Sequence, residues 1–240
     1  TWSFALPANE LRQTLGKVAY SASTDETRHV LNGVLMSIRA GILTTVATDG
    51  RRLALVERPL DGDGNEDCDV ILPPKVVGEL VKVLEGDEPV NVALSEARAS
   101  FSTESVMVTT KLVEGSYPNY RQVIPGSFSH SAVMPRETMA VVLNRVAMVV
   151  SESSASVLLK LDKAQVTLSA MSTEVGEGSE PFEASYDGEP LEIAFNPTFL
   201  MDPLKHLVSD QIVLQFNDQY SPMSISGDEG FLYVIMPMRS

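Results

Sequence analysis

Leu6-Pro7-Ala8-Asn9-Glu10-Leu11-Arg12-Gln13-Thr14-Leu15-Gly16-Lys17-Val18-Ala19 has a counterpart in Met134-Pro135-Arg136-Glu137-Thr138-Met139-Ala140-Val141-Val142-Leu143-Asn144-Arg145-Val146-Ala147. Each reads as a helix opened by proline, which suits the first helical position because its missing N–H would be unpaired there anyway. Leu11, Leu15, Val18 and Ala19 in one copy, and Met139, Leu143, Val146 and Ala147 in the other, recur at the spacing of a single buried face. A second pair follows. Pro73-Pro74 leads into Val76, Val77, Leu80 and Leu84, and Asn196-Pro197 leads into Phe199, Leu200, Leu204 and Leu207, with Asn196 as N-cap. The copies stand roughly 125 residues apart, too far for a solenoid and right for a duplicated domain.

Around these helices lie strand-like runs: Trp2–Leu6, Val30–Ile38, Val90–Leu94, Val106–Thr110, Val157–Leu161, Val166–Ala170 and Ile212–Phe216. Thr44–Glu57 reads as strand, turn, strand, with Asp49-Gly50 at the turn and Leu53 and Leu55 alternating on the return. The expected class is α+β. Each half carries two helices and several strands, and the Gly/Ser-rich joint near Pro125–Ser129 divides residues 1–126 from 127–240.

Composition narrows the function. No apolar run reaches the ~18 residues of a membrane span and no signal segment opens the chain. The single cysteine, Cys68, excludes an internal disulfide framework and fits a reducing cytoplasm. Its acidic neighbours disfavour a thiolate, so it reads as structural. A net charge of −14 argues against holding nucleic acid by bulk electrostatics, so a DNA partner needs a local basic face or a topological link. The start at Thr1, running almost at once into a strand, reads as a cut within a longer protein.

No catalytic constellation stands out. Asp61–Asp69 invites a calcium-loop reading, but the sixth and twelfth positions are Glu66 and Leu72 rather than glycine and a carboxylate, so it reads as an acidic solvated loop. His29, His130 and His206 lack metal-ligand spacing, and Ser151–Ser156 lacks a nucleophile elbow. Glu174, Glu177 and Glu180 pair as acid and base only by assumption. No metal and no cofactor are expected. A metal-dependent hydrolase remains as a rival reading, and a stand-alone two-domain peptide-binding adaptor as another.

Two stretches decide between these. Ala47-Thr-Asp-Gly-Arg-Arg-Leu-Ala54 and the Met-rich terminus Val234-Ile-Met-Pro-Met-Arg239 resemble the bacterial sliding clamps, the β-subunit family of the replicative DNA polymerase, and the likeness extends from Phe4 to Arg239. The resemblance implies two tandem DNA-clamp domains, each with two helices packed on antiparallel sheets, matching the family's second and third domains with the first absent. It implies a non-enzymatic, cytoplasmic processivity factor that encircles duplex DNA. Its partners would be the replicative polymerase, the clamp loader and repair proteins, all held through short peptide motifs.

By motif position, the peptide pocket would comprise Leu31, Thr48, Gly50, Arg51, Arg52 and Leu53 from the first domain, and Pro118, Gln122 and Val123 at the joint. Asn196, Phe199, Tyr220, Pro222, Met223, Val234, Met236, Met238 and Arg239 would come from the second. Leu31, Leu53, Val123, Val234 and Met236 would take apolar ligand groups. Arg52, Asn196 and the Met238–Arg239 backbone would be polar anchors. Arg51, Gln122 and Ser240 depart from the family's frequent His, Arg and Leu. Helices lining a hole would turn Arg12, Lys17, Lys75, Lys82, Arg136, Arg145 and Lys205 toward phosphate. Met148 and Val149, next to the Val157 strand, would form the ring-closing edge. Full-length members would be homodimers and this chain a monomer.

Overall fold

The computed structural model describes residues 2–61, 67–151 and 155–239. The chain forms two compact units, Thr1–Tyr120 and Arg121–Ser240. In the first, β1 (Trp2–Pro7) pairs with β6 (Pro89–Leu94), and the sheet continues through β7 (Arg98–Ser102) to β8 (Met107–Lys111). A second set of strands runs in the order β5 (Cys68–Leu72), β2 (Val34–Arg39), β3 (Ile42–Thr48), β4 (Arg52–Pro59). The helices are α1 (Ala8–Val18), the one-turn α2 (His29–Asn32) and α3 (Pro74–Val83).

The second unit repeats this plan strand for strand. β9 (His130–Pro135), β14 (Gln211–Phe216), β15 (Met223–Ser226) and β16 (Phe231–Ile235) form one set, and β13 (Leu191–Phe195), β10 (Val157–Asp162), β11 (Gln165–Ser172) and β12 (Gly176–Glu183) the other. Its helices are α4 (Arg136–Val146) and α5 (Pro197–His206). All registered pairs within the two units are antiparallel. The fold is therefore α+β, with helices packed on antiparallel sheets in each half.

The apolar stripes are the cores. Leu11, Leu15 and Val18 of α1 are fully buried, as are Met139 and Leu143 of α4, with Val146 nearly so. Local chemistry corrects some details of the sequence reading. Pro7 and Pro135 are N-caps, one residue ahead of their helices, with extended ψ values of 138° and 123°. Pro74 and Pro197 do lie at the helix start, and Asn196 caps α5 by accepting from Thr198 N–H at 2.9 Å and Phe199 N–H at 3.4 Å. Val30–Asn32, expected as strand, is helical, because Leu31 and Asn32 N–H both turn back to the Arg28 carbonyl. The hairpin of Thr44–Glu57 closes on the pair Thr48↔Leu53, so its loop is Asp49–Arg52.

Candidate functional site

In the first unit the Thr48–Leu53 loop is a small hydrogen-bonded lattice. The Thr48 hydroxyl donates to the Arg52 carbonyl at 2.6 Å and accepts from Gly50 N–H at 3.1 Å. Asp49 Oδ1 accepts from the backbone N–H of Arg51 and Arg52 at 2.8 and 3.0 Å. Gly50 has φ +88°, a conformation that costs glycine nothing and other residues much. Arg52, its side chain only 9% exposed, donates through Nε to Asp49 Oδ2 at 3.1 Å and through Nη2 to the Tyr20 carbonyl at 2.8 Å, and lies 5.9 Å from the Tyr20 ring centroid. It therefore braces the loop. Arg51 points to solvent, and Leu53 is buried.

Three contacts that the sequence did not announce hold this lattice. The Tyr117 oxygen accepts from Thr48 N–H at 3.1 Å, tying the strand end to the segment that carries exposed Pro118. Burial pushes the Tyr117 phenol well above its ordinary range and the nearby Asp49 carboxylate adds to this, so it stays protonated. Arg28 Nη1 donates to the Asp49 carbonyl at 3.1 Å, which links the loop to α2 and half-buried Leu31. Tyr20 lies under Arg52. Aromatic and cationic residues this far along the chain leave no periodic mark. Only the Tyr117-Pro118 dipeptide, beside the joint, was a sign.

In the second unit the terminal segment is fixed at several points. Met238 N–H donates to the Ala194 carbonyl at 2.8 Å, so the chain past β16 lies against the end of β13, two residues before the Asn196 cap. The Tyr233 hydroxyl donates to the Phe199 carbonyl at 2.7 Å. These bonds bring Asn196, Phe199 and the Met236–Arg239 stretch together. Met223 and Val234 are buried in β15 and β16, whereas Met236 and Met238 are exposed by 41% and 39%. Exposed Tyr220 and half-buried Pro222 follow a turn in which Asp218 accepts from the N–H of Tyr220 and Ser221 and from the Ser221 hydroxyl, which holds its carboxyl below the usual range. Gln122 and Val123 are exposed in a 3-10 turn.

The cationic residues fare unequally. Arg12, Lys75 and Lys205 are exposed and have no ion-pair partner among the described residues. Lys17 is buried at 4% exposure, on the packed side of α1. Lys82 pairs with Glu79 at 3.1 Å, and Arg145 makes a two-pronged ion pair with Glu180. That pair lowers the Glu180 pKa and raises that of Arg145. Arg136 donates to the carbonyls of Ser209 and Leu204, closing the C-terminal end of α5. Met148 is exposed, while Val149 lies against Gly178 of β12. The strand beside this pair is thus edge strand β12, and the Val157 strand β10 is interior. No cluster of three or more metal-ligating side chains and no membrane-spanning helix occur among the described residues. The Asp61–Asp69 loop at 62–66, the serine run at 152–154 and Ser240 lie outside them.

Comparison with known proteins finds both halves. Residues 5–119 match the family model of the DNA polymerase III beta subunit, central domain, and residues 121–239 that of its C-terminal domain. The beta sliding clamp of Chlamydia pneumoniae is 36% identical over 236 residues, covering 98% of this chain and 64% of the relative. That of Caulobacter vibrioides is 34% identical over 242 residues, covering 98% and 65%. Among solved structures, a DNA polymerase sliding clamp from Pseudomonas aeruginosa superposes with a TM-score of 0.96 at 28% identity, covering 100% of this chain and 67% of its own. A sliding clamp from Bartonella birtlesii bound to griselimycin gives 0.92 at 35%, covering 100% and 66%. The chain spans 64% of the length of its chlamydial relative.

Proposed function

Because the chain belongs to the β-subunit family of DNA polymerase III, the bacterial sliding clamps, we propose that it is the peptide-tethering portion of a non-catalytic processivity factor. The observation that carries this reading is the end-to-end match of its two units to consecutive clamp domains. Held around duplex DNA as part of a ring, such a protein raises the effective concentration of a polymerase at the primer end. Its ligands are short peptide segments of polymerase, clamp loader and repair proteins. The Thr48–Leu53 loop with Leu31 and Pro118, the Gln122–Val123 turn, and the Asn196, Phe199, Tyr220–Met223 and Val234–Arg239 group contribute the contacts. Pre-formed loops favour this role, because a surface ordered before binding does not have to be ordered by the ligand.

Burying two or three apolar ligand side chains contributes about 4–8 kcal/mol. Ordering of the peptide offsets much of it, and backbone anchors restore part. Binding near micromolar, about −8 kcal/mol, is expected. A fluorescence-anisotropy titration with a labelled clamp-binding peptide from a replicative polymerase tests this. Met236→Ala, a change at a half-exposed side chain, weakens binding several-fold with an unchanged melting curve. Equal affinity in variant and parent would remove Met236 from the site. Griselimycin, bound by the Bartonella birtlesii relative, is expected to bind this chain as well.

A further inference from the structure

Resting on the peptide-tethering reading, we propose that the outward face of the second unit's β13-β10-β11-β12 sheet is an additional contact for the same partners, taking an apolar side chain of the flanking peptide together with a neighbouring cation. A cleft of about 310 Å³ opens on this face, within the size range of ligand pockets. Strand alternation builds its floor. Val157, Leu159 and Leu161 of β10 point into the core, so Leu158 points out. Ala170 and Ser172 of β11 are likewise buried, so Met171 points out. Leu158 stands opposite Ala194 of β13, and Met171 opposite Glu177 of β12. The tail, pinned by Met238 N–H on the Ala194 carbonyl at 2.8 Å, adds Met238 as a wall.

Leu158, Met171 and Met238 are 41%, 68% and 39% exposed, so three large apolar side chains meet solvent around one depression. Apolar side chains grouped around one cleft, unlike single scattered ones, are a feature that interaction sites use. Charge selects the occupant. The lining carries Glu177, which has no ion-pair partner among the described residues, and Arg239. Glu183 of β12, next to buried Phe182 and opposite Gln165, also points outward, and the chain's net charge is −14. Nucleic acid and anionic lipid are therefore repelled, and an extended segment with an apolar side chain beside Lys or Arg is favoured. Met238 and Arg239 also belong to the proposed tethering group, so one peptide can run from there onto this face.

Two labelled peptides test the contact by anisotropy: the clamp-binding segment of a replicative polymerase alone, and the same segment lengthened on both sides by Leu-Lys pairs. The longer peptide is expected to bind the parent at least about five-fold more tightly. Leu158→Glu with Met171→Glu removes the gain, and Glu177→Lys reduces it, while the short peptide binds parent and variants alike. These side chains are solvent-facing, and thermal melts check that the variants remain folded. Glu177→Lys alone decides the matter if the double variant does not fold. Equal affinity of the two peptides for the parent overturns this contact and leaves the tethering reading intact. A gain that survives the substitutions also overturns it. Failure of both peptides to bind overturns the tethering reading, and the additional contact with it.

Discussion

Within α5, Pro203 has no amide hydrogen to give the carbonyl four residues back, that of Phe199, and the Tyr233 hydroxyl donates to that oxygen at 2.7 Å. A side chain from the C-terminal strand thus supplies the hydrogen bond that Pro203 cannot make. Tyr233→Phe is expected to cost about 0.5–1.5 kcal/mol in urea unfolding, since a part-buried acceptor loses one donor. In a Pro203→Ala background the restored N–H can take that place, so the same substitution costs less than about 0.5 kcal/mol. Equal costs in the two backgrounds would show that Tyr233 acts through packing alone. Asp218 provides a test in pH. Its folded pKa lies below the ordinary 3.8, mainly through the Tyr220 N–H and then the Ser221 hydroxyl. The contribution of this turn is therefore complete above the unfolded value and is lost as pH falls through the folded one. NMR titration of the Asp218 carboxyl is expected to give a midpoint below 3.8, with the Ser221 amide shift following it.

Helices and most strands were legible because a single periodicity recorded them, as the buried Leu11–Leu15–Val18 and Met139–Leu143–Val146 stripes show. Where two local preferences competed, the reading slipped. Pro7 and Pro135 cap from outside because the strand ahead of each helix keeps them extended. Val30 and Leu31 look like strand residues, but hydrogen bonds to the Arg28 carbonyl wind them into α2. Motif residues of the candidate site were legible, but their braces were not. Tyr20, Arg28 and Tyr117 reach Arg52, Asp49 and Thr48 from 32, 21 and 69 residues away, respectively, and long-range contacts leave no local pattern. The β2–β3 hairpin shows element-scale strain. Its turn, Ala40-Gly41, has φ +49° and +74° between the paired Arg39 and Ile42, the geometry that prefers Asn-Gly. Ala40→Asn is expected to raise stability by about 0.5–1 kcal/mol, read from the urea midpoint. No gain would mean that the turn relaxes in solution.

At the scale of the whole molecule the charge balance governs contact with DNA. Arg145 and Lys82 are offset by Glu180 and Glu79, Lys17 is buried, and Arg136 holds backbone carbonyls, which leaves a thin set of exposed cations in a chain of net charge −14. Binding of residues 1–240 to a linear duplex should therefore be weak and vanish between about 50 and about 200 mM salt. Gel filtration after loading on nicked circular DNA extends the test. Co-elution that survives high salt but is lost when the circle is cut would mean that copies of this chain close a ring unaided. The strand-for-strand duplication has a further consequence, in the order of synthesis. β1 and β9 are equivalent strands, as are their neighbours β6 and β14, so a chain released all at once offers each strand a wrong partner of the right shape. On the ribosome the choice is made by time. All strands of the first unit have been made by Lys111, and the second unit, Arg121–Ser240, then takes roughly 6–24 s at about 5–20 residues per second. The first of these two units can close on itself before the second is complete, so vectorial translation keeps apart two halves that refolding from denaturant would bring into competition.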